Sequence, residues 1–333
     1  MKFILPENYQ PLLDVIETEI AIKFVKDNFE KELSKNLDLI RVSAPLFVEP
    51  KSGLNDYLNG VERTVSFTLK NKTELEIVQS LAKWKRMALK KYNFEAGKGL
   101  YTDMNAIRCD EDIDPIHSIY VDQWDWEKII NPSDRNLNYL KKVVRKIYQT
   151  IKSIEQKVYK KYPIITPVLS KDIKFISSEE LYQRYPNLSS KEREHAICKE
   201  FGSVFIYKIG WPLSNNKAHD GRAADYDDWM LNGDILVWYE PLQISLELSS
   251  MGIRVNKESL LAQLKHRKEE NKLELPYVQA VLNDELPQTI GGGIGQSRLC
   301  MFFLKKVHIG EVQASAWPEE EIERLQCLNI HLL

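Results

Sequence analysis

Glycine is scarce in this chain, with 14 among 333 residues, yet four of the 14 fall at positions 291, 292, 293 and 295. Cysteine is scarcer still. The four present, Cys109, Cys198, Cys300 and Cys327, are scattered and form no C-x-x-C pair. That spacing suits reduced thiols in cytoplasm better than a disulfide framework or a cysteine zinc site. Charge of one sign is missing too: the formal net charge of −2 gives no gross attraction to nucleic acid or membrane phosphates. No apolar run approaches the roughly 18–20 residues needed to cross a bilayer, and the opening MKFILPENYQ turns polar too early for a signal peptide. Both familiar phosphate-loop patterns are also absent. G-x-x-x-x-G-K-[ST] occurs nowhere, and G-x-G-x-x-G fails because the third position after Gly295 is Arg298. These absences leave a soluble cytoplasmic protein whose glycine cluster needs another explanation.

What is present is ordinary globular composition, 43% hydrophobic and 28% charged, in a chain long enough to bury a large core. No repeat, low-complexity tract or linker marks a boundary. Apolar spacing predicts a helix over 8–36 and a longer one carrying Leu137, Leu140, Val144, Ile147, Ile151, Ile154 and Val158. The second helix has a lysine-rich outer face (Lys141, Lys142, Lys146, Lys152, Lys157), read as solvated in a chain this neutral. LIRVSAPLFVE (39–49) carries Pro45 and reads as an edge or interface strand. Further strands are expected at 62–70, 74–78, 100–109, 117–126, 172–177, 203–210, 233–241 and 244–255. Helices are expected near 178–185, 189–201, 257–271 and 276–284. Strands cluster on either side of a helical middle without steady βαβ alternation. This implies an α+β fold with a mostly antiparallel sheet.

Four segments could carry chemistry. MNAIRCDEDIDPIHSIYVDQWDWE (104–127) ends a strand at Arg108 and returns with Gln123 and Asp125 on one face; an arginine there suits bidentate capture of phosphate or carboxylate. Asp234, at the head of one strand, and Glu247, in the next, could converge on a hard cation. AHDGRAADYDDW (218–229) reads as a polar loop directing Arg222 and Asp227 into a pocket, since His219 has no neighbouring histidine to complete a metal site. QTIGGGIGQSRL runs from a glycine-lined strand into a helix whose first turn holds Arg298, where an anion is already favoured. Taken singly, each residue also fits an ordinary ion pair, turn or solvated loop.

Taken in order, the arginine-bearing strand pair, two later acids and G-x-G-x-x-R resemble the motifs of class II aminoacyl-tRNA synthetases. Strand 39–49 is similar to their dimer-interface motif. The blocks SLAKWKR (80–86), HSIYVDQWDWE, ADYDDW, LNGDILVW, ELSSMGIRV and PQTIGGGIGQSRL resemble asparagine synthetase A, the ammonia-dependent aspartate–ammonia ligases, over essentially the whole chain. One departure is the short passage from Trp229 to MLNGD, where some of that family carry an insertion.

The resemblance implies a single catalytic domain over 1–333 with no anticodon-binding domain. It implies ATP-dependent synthesis of L-asparagine from L-aspartate and ammonia through β-aspartyl-adenylate, in a homodimer with no nucleic-acid or membrane partner. It assigns Arg108 to the α-phosphate and Arg298 to the γ-phosphate. Arg222, Gly293 and Gly295 join the nucleotide site, and Asp234 and Glu247 carry Mg²⁺. Asp56, Ser80, Lys85, Gln123, Asp125, Asp227, Ser249 and Ser250 surround aspartate, with Asp56 and Lys85 in catalytic roles. A glutamine-hydrolysing enzyme would need a thiol, after the initiator methionine or on a glycine-flanked elbow. Lys2 and the contexts IRCDE, AICKE, RLCMF and LQCLN offer neither, so free ammonia is the expected nitrogen donor.

Overall fold

The computed structural model describes residues 5–58 and 62–333; the first four residues of the opening stretch lie outside them. The first helix, α1 (Val15–Leu37), starts at Asp14, whose side chain accepts from the Glu17 N–H. It begins seven residues later than the apolar spacing placed it, because the capping aspartate rather than the apolar pattern sets its start.

The expected strand at 39–49 splits at Pro45 into β1 (Leu39–Arg41) and β2 (Phe47–Val48). β2, β3 (Ser66–Thr68) and β4 (Glu74–Ile77) make a small three-stranded sheet. Then come α2 (Ala82–Lys91), β5 (Gly99–Ile107), β6 (Tyr120–Ile129) and the long α3 (Leu137–Lys161). The middle of the chain forms β7 (Lys174–Ser177), α4 (Ser178–Arg184), α5 (Ser190–Phe201) and β8 (Ser203–Tyr207). Two long strands, β9 (Asp227–Tyr239) and β10 (Ile244–Arg254), precede α6 (Lys257–Arg267) and α7 (Pro276–Leu282). The glycine-rich β11 (Thr289–Gly295) runs directly into α8 (Gln296–Leu304), and α9 (Glu319–Cys327) follows.

Eight strands form the main sheet in the order β1-β5-β6-β11-β10-β9-β8-β7. Only the edge pairs β1–β5 and β7–β8 are parallel. Helices α1, α3 and α8 bury their apolar stripes with Trp124 and Trp126 of β6, and Phe29 meets Trp124 at 4.7 Å between ring centroids. Each fully buried aliphatic side chain there contributes about 1.5–3 kcal/mol. On the lysine face of α3, Lys157 pairs with Glu32 at 2.6 Å and Lys141 sits 4.4 Å from the Tyr207 ring centroid, while Lys142 and Lys146 are exposed. Among the described residues no helix is long and apolar enough to cross a membrane.

Strand alternation sends the other set of side chains to the opposite face. On β6, Gln123 and Asp125 alternate with the two core tryptophans. On β10 a register shift between Glu247 and Ser249 changes the alternation. Leu246 and Leu248 face the core before the bulge, and Met251 and Ile253 after it. Ser249 and Ser250 are both released to the other side, a local re-aiming that bulges provide.

Candidate active site

That other face holds a cavity of about 420 Å³. It is lined by Arg108 just beyond β5, Gln123 and Asp125 of β6, and Glu247, Ser249 and Ser250 of β10. Gly293, Gly295 and Arg298 come from the β11–α8 junction, Ser80 and Lys85 from the α2 segment, Asp56 from the loop after β2, Arg222 from the approach to β9 and Asp227 from its first position. Of the residues that the resemblance assigns to the site, only Asp234 does not line it.

The glycine cluster has a steric cause. None of Gly291, Gly292, Gly293 or Gly295 has positive φ. β11 lies between β6 and β10, and the large side chains of those strands occupy the space above it. A Cβ on Gly291 would lie 1.9 Å from Glu127 Oε2 and 2.5 Å from Arg254 Nη2; one on Gly293 would lie 2.2 Å from Gln123 Oε1. Only Gly295 meets nothing closer than the Arg298 Cβ, at 3.2 Å. Bare backbone therefore serves first to seat the protein's own polar groups.

Those groups form a buried ionic floor. Arg254 donates through Nε to Glu127 Oε1 at 2.9 Å and through Nη2 to Oε2 at 2.6 Å, and its Nη1 bonds Asp227. Thr289 Oγ1 adds a 2.7 Å bond to Glu127. Lys85 Nζ bonds Asp125 and the Gly292 carbonyl, the latter at 3.1 Å. Burial raises the Asp227 carboxyl, while for Glu127 the Arg254 charge overcomes burial and holds the carboxyl low. Burial depresses Lys85 despite Asp125. Asp125 Oδ2 has no partner, so one buried oxygen is unspent beside the cavity. Arg254 and Glu127 are the members of this floor that sequence reading missed. GIRV and WDWE read as strands, and nothing local shows that the two charges meet across β11.

At the other end stand the two predicted arginines. Arg108 approaches Glu111 at 3.8 Å, and its buried Nε has no partner. Arg298 donates Nη1 to the Glu247 carbonyl at 3.1 Å, with a longer 3.4 Å approach to the Ile116 carbonyl. Asp122 holds the first turn of α8, accepting from the Ser297 N–H at 3.0 Å and hydroxyl at 2.8 Å.

Asp234 is not at the head of a strand. β9 begins at Asp227, because its acidic start is buried against Arg254 and Arg135. Asp234 sits mid-strand opposite Ser250, behind the cavity wall, and bonds Arg222. Burial raises its carboxyl to about 7, with Arg222 opposing and Glu247 adding to the rise. Its Oδ1 is buried without a partner. Asp234, with its unspent oxygen, and Glu247 supply the kind of ligand a Mg²⁺ ion takes, its other positions going to water and phosphate. Among the described residues no group of three or more His, Cys, Asp or Glu is arranged for a metal.

Asp56 is buried at the cavity wall and accepts the Leu58 N–H at 3.0 Å. Burial lifts its carboxyl to about 6, Lys83 opposes this, and Asp225 reinforces it. Lys83 and Asp225 form a buried pair at 2.9 Å. The two buried thiols are poor nucleophile candidates. Cys198 and Cys300 are buried, which pushes Cys300 up to about 12 and Cys198 higher. Cys109 and Cys327 are exposed and unbridged.

Residues 16–329 match the family model described as aspartate–ammonia ligase. The chain is 61% identical to the aspartate–ammonia ligase of Clostridium perfringens (strain ATCC 13124), over 100% of this chain and 99% of that protein. It is 62% identical to that of Fusobacterium nucleatum, over 98% and 99% respectively. Among solved structures, it resembles the asparaginyl-tRNA synthetase of Pyrococcus horikoshii complexed with asparaginyl-adenylate, with a TM-score of 0.66 at 16% identity, covering 91% of this chain and 70% of that one. The Entamoeba histolytica asparaginyl-tRNA synthetase gives 0.63 at 15%, covering 90% and 66%. At such identity these structures speak for the fold alone, which is that of the class II synthetase catalytic core. The chain belongs to the aspartate–ammonia ligase family.

Proposed function

We propose that this chain makes L-asparagine from L-aspartate, ammonia and ATP by adenylating the side-chain carboxyl. A β-carboxylate oxygen attacks the α-phosphorus and pyrophosphate leaves. Ammonia then attacks the acyl carbon, and the C–O bond breaks to release AMP. The observation that carries this reading is the meeting of two arginines, Arg108 and Arg298, with an ion-lined pocket in one cavity. Charge builds on bound phosphate in both steps, so fixed cations aimed at it are the main catalytic need.

Arg108, with its unspent Nε, is assigned to the α-phosphate and Arg298 to the γ-phosphate. Arg222, Gly293 and Gly295 complete the nucleotide wall. Asp234 and Glu247 would hold Mg²⁺, whose contribution is to neutralise the phosphate oxygens it binds. At the floor, Lys85 and Arg254 meet a substrate carboxylate, while Asp125 Oδ2 accepts from the substrate ammonium. Ser80, Gln123, Asp227, Ser249 and Ser250 fix the orientation. Asp56 is the proton acceptor for incoming ammonium, because burial has already raised its proton affinity.

The sheet-centred unit is read as one catalytic domain, working in cytoplasm, where its four free thiols persist. It is read as a homodimer through α1 and the β1 edge. Ile16 is 68% exposed, Ile20 53% and Ile40 60%, an apolar surface that a second copy would cover. The decisive assay offers aspartate, Mg-ATP, ammonium and bulk tRNA together. Asparagine and AMP without charged tRNA support the proposal; aspartyl- or asparaginyl-tRNA, or ADP, would refute it.

A further inference from the structure

We propose that Asp122 of β6 is a positioning residue for Arg298, with Lys26 of α1 as the counter-ion that lets a carboxylate stand beside bound phosphate. The inference rests on the placement of the polyphosphate at Arg298. α8 begins without a side-chain cap of its own, because its N-cap residue is Gly295. Its first N–H groups therefore need acceptors from elsewhere. The last β11–β6 pair is Gly295 with Gln123, so Asp122, next along β6, stands where β11 turns into α8. Its Oδ1 accepts from the Ser297 N–H at 3.0 Å and from Gln313 Nε2 at 3.4 Å. Its Oδ2 accepts from the Ser297 hydroxyl at 2.8 Å and from Lys26 Nζ at 3.0 Å. Ser297 immediately precedes Arg298, and Asp122, Ser297, Arg298 and Gln313 all line the cavity.

The hold on this turn comes chiefly from Asp122, which is buried. The neighbouring tie is weaker: Gln296 donates to Asp103 at 3.1 Å, and Asp103 pairs with Arg41 at 2.7 Å in solvent. Position and charge conflict at Asp122. The turn needs an acceptor there, yet a bare negative charge on the cavity wall repels phosphate. Lys26 removes the conflict by pairing with Asp122 while staying out of the cavity itself. Burial acts to lower the Lys26 pKa, but Asp122 leads the charges that outweigh it, and the ammonium stays charged.

The test is calorimetric titration of pyrophosphate with Mg²⁺, and separately of AMP, into the full chain and its variants. Asp122→Ala should bind pyrophosphate about tenfold more weakly, the scale of coupling between neighbours, with AMP unchanged. Adding Asp122→Ala to Arg298→Ala should cost nothing more, since the side chain it aims is gone. Lys26→Met should also weaken pyrophosphate about tenfold, by leaving the carboxylate bare. Combining Lys26→Met with Asp122→Asn should recover most of that loss, because the amide keeps both Ser297 bonds without the charge. Normal pyrophosphate binding by Asp122→Ala, beside poor binding by Arg298→Ala, would overturn the Asp122 assignment alone. Equal losses from Asp122→Ala with and without Arg298, or parallel loss of AMP and pyrophosphate, would show a merely structural role and also overturn it. If Asp122→Ala does not fold, Lys26→Met decides: no loss, or a loss that Asp122→Asn leaves in place, overturns the inference. Normal binding by Arg298→Ala would overturn the placement of the polyphosphate and this inference with it.

Discussion

Gly291 and Gly293 differ by one strand repeat on β11, and the same substitution should damage them differently. In Gly291→Ala the new methyl lies 1.9 Å from Glu127 Oε2 and 2.5 Å from Arg254 Nη2. Glu127 is fully buried and Arg254 is 2% exposed, so neither can retreat without losing its bonds. Overpacking alone costs about 1–3 kcal/mol, and breaking a buried ion pair about 3–5 kcal/mol. Arg254 keeps Asp227, and alanine regains roughly 0.5–1 kcal/mol of strand propensity over glycine. The expected net loss is therefore at least about 3 kcal/mol. In Gly293→Ala the methyl meets Gln123 Oε1 at 2.2 Å. Gln123 is only half-buried, and its amide can swing into the cavity. Stability should fall by less than about 1 kcal/mol, while KM for aspartate rises about tenfold, a change of about 1.4 kcal/mol. Urea unfolding and steady-state kinetics on both variants read the two effects separately. Gly291→Ala within 1 kcal/mol of the parent protein, or Gly293→Ala the less stable of the pair, would refute the steric account.

Two further predictions concern protons and association. Asp56 must be ionised to accept a proton, so with its carboxyl near 6 the amide-forming rate should fall as pH drops through that value. Asp56→Asn should be slow and should lose that acidic limb; a limb that survives the substitution assigns it elsewhere. The paired change Ile16→Asp, Ile20→Asp should convert a dimer to a monomer in equilibrium sedimentation, since both side chains are more than half exposed on α1. A parent protein that is already monomeric at micromolar concentration would contradict the interface.

Helices and strands with apolar periodicity were legible in the sequence, α3 most plainly, because one face packs on the core. α2 was not. Its buried residues are Ala82, Ala88 and Leu89 interleaved with Lys83, Lys85 and Arg86, which point at carboxylates and carbonyls far away in the chain and break up the apolar stripe. The early start of β9 was hidden for the same reason: Asp227 and Asp228 look solvated until Arg254 and Arg135 are seen beside them. α9, with three glutamates in its first turn and one buried residue, gave no signal either. Residues of the cavity were legible as chemistry, but their counterions were not, since ion pairing across strands leaves no spacing in the sequence.

The most direct measurement of the central claim follows one oxygen atom. Aspartate carrying ¹⁸O in its β-carboxylate is incubated with ATP, Mg²⁺ and ammonium, and the products are analysed by mass spectrometry. Adenylation predicts AMP bearing one ¹⁸O, beside asparagine that keeps the other. Label in inorganic phosphate with ADP as co-product, or AMP with no label at all, would contradict it.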